Sequence, residues 1–291
     1  MAKHPLLVSL LLASQLLSSY AQAATLPAHS PFSLLIVADE VNPHKLADSE
    51  LTQPQDLQPA FTTNSPLQLS SASTVSSQCA DDALAALRSA TPPKVVLYFA
   101  HRAARHCDGS DAQSEFTQLI RNGLQNGMGV VVLHHGLYVD IFAKGAKDEL
   151  LALIGARTNS IEWNKTDGQR VYNVGGSHFV SSNGLRYSQQ AAFVGTTGVP
   201  AGTYSYFTNV PDELYSDTQL VTEAGETRTP LFASDSKGER LLGYVLQREG
   251  WQGRVVAYQP AEYQPNALDD RDGPNYQILV NAIYFAAYGN K

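Results

Sequence analysis

The stretch Met128-Gly-Val-Val-Val-Leu-His-His-Gly-Leu-Tyr138 is apolar for six residues and then stops on two histidines and a glycine. Unbroken Val/Leu character, without polar alternation, marks a strand buried on both faces, as in a parallel sheet covered by helices. In open sheets of that kind ligands sit outside the carboxyl ends of the strands. A side chain lifted there from a sharp turn, with glycine two residues later so that chains can pass closely, is a nucleophile-elbow arrangement. His134 takes the reactive place and Gly136 the permissive one. His135 is expected to point away from the crevice and to be structural.

The flanking sequence extends the same pattern. Lys94-Val-Val-Leu-Tyr-Phe-Ala100 and Phe32-Ser-Leu-Leu-Ile-Val-Ala38 are two more continuous apolar runs. A helix is expected from about Ala80 to Ser89, opened by Asp81 and Asp82 and stopped by Pro92-Pro93. Another is expected from Ser114 to Asn126, with Phe116, Leu119, Ile120 and Leu124 on one face. Strands alternating with helices imply an α/β fold with a mostly parallel sheet. Further helices are expected at about Ala146 to Ile154 and Asn275 to Tyr288, with late strands at Leu241 to Leu246 and Gly253 to Tyr258. Ile161 to Phe207 reads as irregular or antiparallel. Asp39 to Ser77, rich in Pro, Gln, Ser and Thr, reads as a long loop with at most one strand around Leu67 to Leu69.

The chain has 291 residues, a net charge of −7 and no Lys/Arg run. Clustered cations carry non-specific binding to phosphate backbones, so a nucleic-acid partner is not expected. Residues 1–23 combine Lys3, the apolar run Leu6 to Leu17 and Ala21-Gln22-Ala23, which is how a secretory signal peptide reads. A single domain over 24–291 is expected, with no membrane span, in the periplasm or secreted if the chain is bacterial. The only two cysteines, Cys79 and Cys107, would there be able to pair, or to remain as free thiols.

Three motifs together resemble the ThuA-like, trehalose-utilisation family: Gly127-Met-Gly-Val-Val-Val-Leu-His-His-Gly136, Asp212-Glu-Leu-Tyr215 and Gly253-Arg-Val255. The resemblance spans roughly Ser33 to Gly289. It implies the class I glutamine amidotransferase-like fold, a three-layer flavodoxin-like architecture, with histidine in place of the amidotransferase cysteine. It also implies a role in the catabolism of glycosides or oxidised sugars. Two departures stand out. Ala261-Glu262 occupies the place where the family usually has Gly-His, and no His-Pro precedes the Asp-Glu-Leu-Tyr motif.

The candidate catalytic residues are His134, Glu213 and Glu262, the two carboxylates being a possible acid/base pair. His44, His101, His178 and Tyr215 are candidates for substrate binding, Tyr215 by stacking on a sugar ring. A helix dipole after the elbow would keep His134 neutral, suited to base or ligand work. Loops converging from the strand ends would let His44, His101, His134 and a carboxylate hold zinc or another divalent metal, although no short metal-binding spacing is present. The segment His101-Arg102-Ala-Ala-Arg105-His106 reads as a solvated polar loop. Amidotransferase or cysteine-peptidase chemistry needs a thiolate at the elbow, and neither cysteine is there. The open alternatives are a hydrolase or lyase acting on sugar derivatives, and a non-catalytic sugar- or protein-binding member of the same fold.

Overall fold

The structure is a computed structural model. It describes residues 25–41, 52–140, 142–143, 145–158, 161–164, 168–209, 212–215, 218–262, 268 and 270–289. The expected signal segment 1–23 and His44 lie outside the described residues.

The strands in chain order are β1 (Phe32–Ala38), β2 (Leu69–Ser76), β3 (Val95–Phe99), β4 (Gly129–Leu133), β5 (Ala156–Arg157), β6 (Ile161–Asn164) and β7 (Gln169–Asn173). They continue with β8 (Gln189–Phe193), β9 (Gly202–Asn209), β10 (Asp212–Tyr215), β11 (Gln219–Leu220), β12 (Glu226–Ser234), β13 (Arg240–Arg248) and β14 (Val255–Tyr258). The helices are α1 (Pro54–Thr62), α2 (Asp81–Arg88), α3 (Gln113–Gln125), α4 (Asp148–Ile154), α5 (Phe179–Ser182) and α6 (Pro274–Tyr288).

One ten-stranded sheet has the order β2-β1-β3-β4-β14-β13-β12-β7-β9-β8. The β2 to β14 half is parallel, as the apolar runs imply. From β13 onward every pairing is antiparallel, so the expectation of a mostly parallel sheet holds for only half of it. Alternate side chains of β1 show why its run is unbroken. Leu34, Ile36 and Ala38 enter one core, shared with α1 and α6, while Leu35 and Val37 enter a second core under α2, α3 and α4.

The expected long loop at 39–77 is corrected. It contains α1 and the whole of β2, an eight-residue edge strand in register with β1. The segment after β3 is also not a solvated loop. His101, Ala103 and Ala104 are buried, and the backbone N–H groups of His101 and Arg102 donate to the Asp39 carboxylate. Cys79 and Cys107 form a disulfide with a Cα–Cα distance of 4.1 Å, tying the turn after β2 to the loop after β3. Among the described residues no helix is long and apolar enough to cross a membrane.

Candidate functional site

The carboxyl ends of the parallel strands collect the chemistry. β4 ends on a 3-10 turn, His134–Leu137, whose first residue has φ +37°. That left-handed backbone is costly for a residue with a Cβ and re-aims the side chains that follow. Gly136 passes so close to β3 that a Cβ there would lie 2.6 Å from the Tyr98 carbonyl oxygen and 2.7 Å from Val132. The permissive role expected for Gly136 therefore has a steric cause.

His134 Nδ1 lies 2.6 Å from the Gln259 carbonyl oxygen, to which it donates. Its Nε2 is thereby the working nitrogen, and it faces Glu213 Oε2 at 2.8 Å and Glu262 Oε2 at 3.5 Å. His135 Nε2 lies 2.9 Å from the same Glu262 oxygen. All four side chains are at most 1 % exposed.

Each of these residues is held from its own element. Glu213 comes from β10, where Asp212 accepts from the Glu213 and Ala261 N–H groups at 2.9 and 3.0 Å. Glu262 follows β14, and its carbonyl accepts from Thr52 N–H at 2.7 Å. Tyr215 lies against the His134 ring at 4.7 Å. His101 packs on the His135 ring at 5.3 Å and on Tyr138 at 4.9 Å. His134, Tyr215, Tyr138, His101 and His135 thus form a closed circuit of ring contacts.

Of the residues expected from the sequence, His134, Glu213, Glu262 and Tyr215 come together, and His101 stands behind His135. His178 does not join them. It caps α5, accepting from Val180 N–H, and its ring lies edge-on to Phe285 at 4.7 Å. The Phe285 carbonyl accepts from Arg254, just before β14, so His178 lies toward the opposite end of the strands. Sequence reasoning missed His135 as a member of the cluster. Strand alternation turns it away, but the left-handed turn at His134 breaks that alternation.

The electrostatics also differ from expectation. The 3-10 turn is not continued by an α-helix, since α4 begins only at Asp148, so the dipole expected to keep His134 neutral is missing. Burial lowers the His134 pKa, but the hydrogen bond to Glu213 and the charges of Glu262, Glu213 and Asp212 outweigh it and raise the pKa to about 9. Asp212 is pushed up to about 6 by burial.

His134, His135, Glu213 and Glu262 each offer a ligand atom, and these atoms lie within 4.8 Å of one another. Zinc–nitrogen and zinc–oxygen bonds of about 2.0–2.2 Å place neighbouring ligand atoms roughly 3.0–3.5 Å apart. The 3.5 Å contact matches that spacing, and the 2.8 and 2.9 Å contacts are shorter than it by a few tenths of an ångström, so the four side chains would open slightly to admit an ion. Two imidazoles and two carboxylates suit zinc, manganese or iron(II).

No family model matches the sequence, and no curated protein matches it. Solved structures do match its shape. A protein described as ThuA-like from Parabacteroides merdae superposes with a TM-score of 0.56 at 14% identity, covering 89% of this chain and 91% of that one. The fold is ThuA-like. A second ThuA-like protein, from Bacteroides uniformis, gives a TM-score of 0.52 at 13% identity, covering 88% of this chain and 91% of that one. The N-terminal domain of mmIFT52 gives 0.50 at 10%, covering 88% of this chain and 99% of that domain. At such identities the likeness concerns the fold, and a fold hosts many functions, so function has to be argued from the cluster.

Proposed function

We propose that this chain is an exported ThuA-like protein of carbohydrate catabolism, acting on a glycoside or oxidised-sugar derivative through the His134 cluster. The observation that carries the reading is the convergence of His134, His135, Glu213 and Glu262 at the carboxyl ends of the parallel strands. The strand order β2-β1-β3-β4-β14 supports a flavodoxin-like architecture of the class I glutamine amidotransferase-like kind. The apolar run Leu6 to Leu17 and the Cys79–Cys107 disulfide support export to an oxidising compartment.

A divalent cation on the four ligands would polarise a carbonyl or hydroxyl oxygen of the sugar. The chain's own residues move the proton. Without a cation, Nδ1–H is committed to Gln259 and His134 Nε2 exchanges a single proton with Glu213 Oε2, an acid when it carries the proton and a base when it does not; a cation on Nε2 would take that proton's place. Glu213 and Glu262 approach the same nitrogen and leave no gap for a sugar ring between them. This favours proton abstraction beside a keto group over acid/base attack across a glycosidic bond by two separated carboxylates. A lyase acting on oxidised sugars is therefore the preferred enzyme class, ahead of a hydrolase.

A non-catalytic sugar- or protein-binding role is the second reading, favoured by the near-complete burial of all four side chains. The test is product analysis on a panel of disaccharides and keto-sugars, with and without chelator, for wild type and His134→Ala. Turnover lost in the variant supports the enzyme reading. Saturable sugar binding with no turnover in either protein supports the second.

A further inference from the structure

At the same end of the sheet lies a group of buried amides that the cluster does not use. Gln169 opens β7 and faces Asn209, the last residue of β9, directly across the strand pair. Directly opposed residues share a face. They are 1 % and 4 % exposed. Asn209 Oδ1 accepts from Asn275 Nδ2 at 2.6 Å, and Asn275 Oδ1 accepts from the Tyr258 hydroxyl at 2.5 Å. There the chain of hydrogen bonds stops. Asn209 Nδ2 and both polar atoms of the Gln169 side chain have no hydrogen-bond partner among the described residues. Turning either amide over leaves the same demand unmet, since each then presents its other polar atom to the same surroundings.

A buried amide with no partner costs free energy on the scale of a lost hydrogen bond or more, and such groups in folded proteins generally meet water or a ligand. Three residues separate Asn209 from Glu213, and Tyr258 feels the charge of Asp212, so this amide group adjoins the cluster. Phe207, two residues before Asn209 on the same strand face, adds a half-buried ring.

We propose that Gln169 and Asn209 form a recognition subsite for a vicinal pair of hydroxyls on a sugar or polyol. The inference rests on the reading of the His134 cluster as a carbohydrate site, and supplies the part of the ligand that stays unreacted. An amide offers a donor and an acceptor side by side, the complement of two neighbouring hydroxyls, each of which can give and take. A ring such as Phe207 suits the apolar face of a sugar. No cation is among these residues, and Asp212 is close by, so phosphate and carboxylate ligands are disfavoured.

Calorimetric titration of the full mature chain with glucose, trehalose and sorbitol tests this, comparing wild type with Gln169→Met and Gln169→Leu. Gln169 is the variant position because Asn209 also holds Asn275. Binding to wild type should weaken about tenfold or more in both variants, the loss of one good hydrogen-bonded contact. The melting temperature of the ligand-free variants should stay level or rise, since an unmet buried amide is removed. Failure of all three probes to bind wild type, unchanged affinity in the variants, or a marked fall in melting temperature showing that water already satisfies the amide, would each overturn the subsite. Binding that depends on Gln169 with no turnover on any sugar would retain the subsite while removing the catalytic reading of the cluster.

Discussion

His134 is the residue where backbone strain, hydrogen bonding and charge meet. Its proton is kept in the folded protein up to about pH 9, whereas an unfolded histidine releases it near the ordinary value of 6.5. In metal-free protein the associated stability, on the order of 3 kcal/mol, is complete below pH 6.5 and is lost as pH rises through about 9. Urea unfolding of chelator-treated wild type and His134→Asn across that window should show the decline in wild type and a flatter profile in the variant. Gly136→Val should lower stability by about 1–3 kcal/mol in thermal melts, since a Cβ at Gly136 meets the Tyr98 carbonyl at 2.6 Å. The position of His134 was legible because a continuous apolar strand that stops on His-x-Gly places the histidine at the strand's carboxyl end, where ligands bind. Its charge state was not, because Glu213 and Glu262 reach it from segments 79 and 128 residues away, as their numbers show. The Ala261-Glu262 departure also reads differently in the folded chain. At the place where the ThuA-like pattern implies Gly-His, Glu262 brings a carboxylate to His135 and His134.

At the scale of elements, the strand ends are tied together by Lys147, the residue before α4. Its buried Nζ donates to the carbonyls of Ala100 and Tyr138 at 2.8 Å and of His101 and His135 at 3.3 Å. Burial lowers its pKa to about 7 against the pull of Asp39 and Asp140. One ammonium thus joins the loops after β3 and β4 behind both histidines. Lys147→Met leaves those carbonyls without their donor and should cost about 2–4 kcal/mol in urea unfolding. It should also speed amide hydrogen exchange at 100–103 and 135–139, while the distant β8–β9 pair keeps its protection. Among the elements, the buried parallel strands and the helices with one apolar face were readable because periodicity records burial. α1 and β2 were hidden for different reasons. α1 has proline at its first position and again at Pro59, and β2 is a Ser-rich edge strand none of whose residues is fully buried. The antiparallel half was legible only in part: Ile161 to Phe207 reads as irregular or antiparallel and Leu241 to Leu246 as a strand, but a pairing such as β12 with β7 joins segments far apart in the chain.

At the scale of the whole molecule, the parallel half positions the two histidines and Glu262, a separate β6–β10 pair delivers Glu213, and the antiparallel half presents the amides beside it. The Cys79–Cys107 bridge closes a loop between residues 28 apart and should contribute about 3–4 kcal/mol by loop-closure entropy. Reduction should lower the melting temperature, and a Cys79→Ser/Cys107→Ser protein should be insensitive to reductant. Protein purified from its native cells should begin near Ala24 by intact mass, and an intact Met1 on the mature protein would contradict export. The central claim, that His134, His135, Glu213 and Glu262 act as a single centre, is tested most directly by metal stoichiometry. Protein reconstituted with zinc or manganese, freed of excess ion and measured by elemental mass spectrometry should retain a single ion per chain at pH 8. Retention should fall at pH 6, where the proton on His134 competes more strongly than at pH 8. It should fall to background in a folded His135→Ala/Glu262→Gln variant, whereas equal retention by variant and wild type, or none by wild type, would contradict the account.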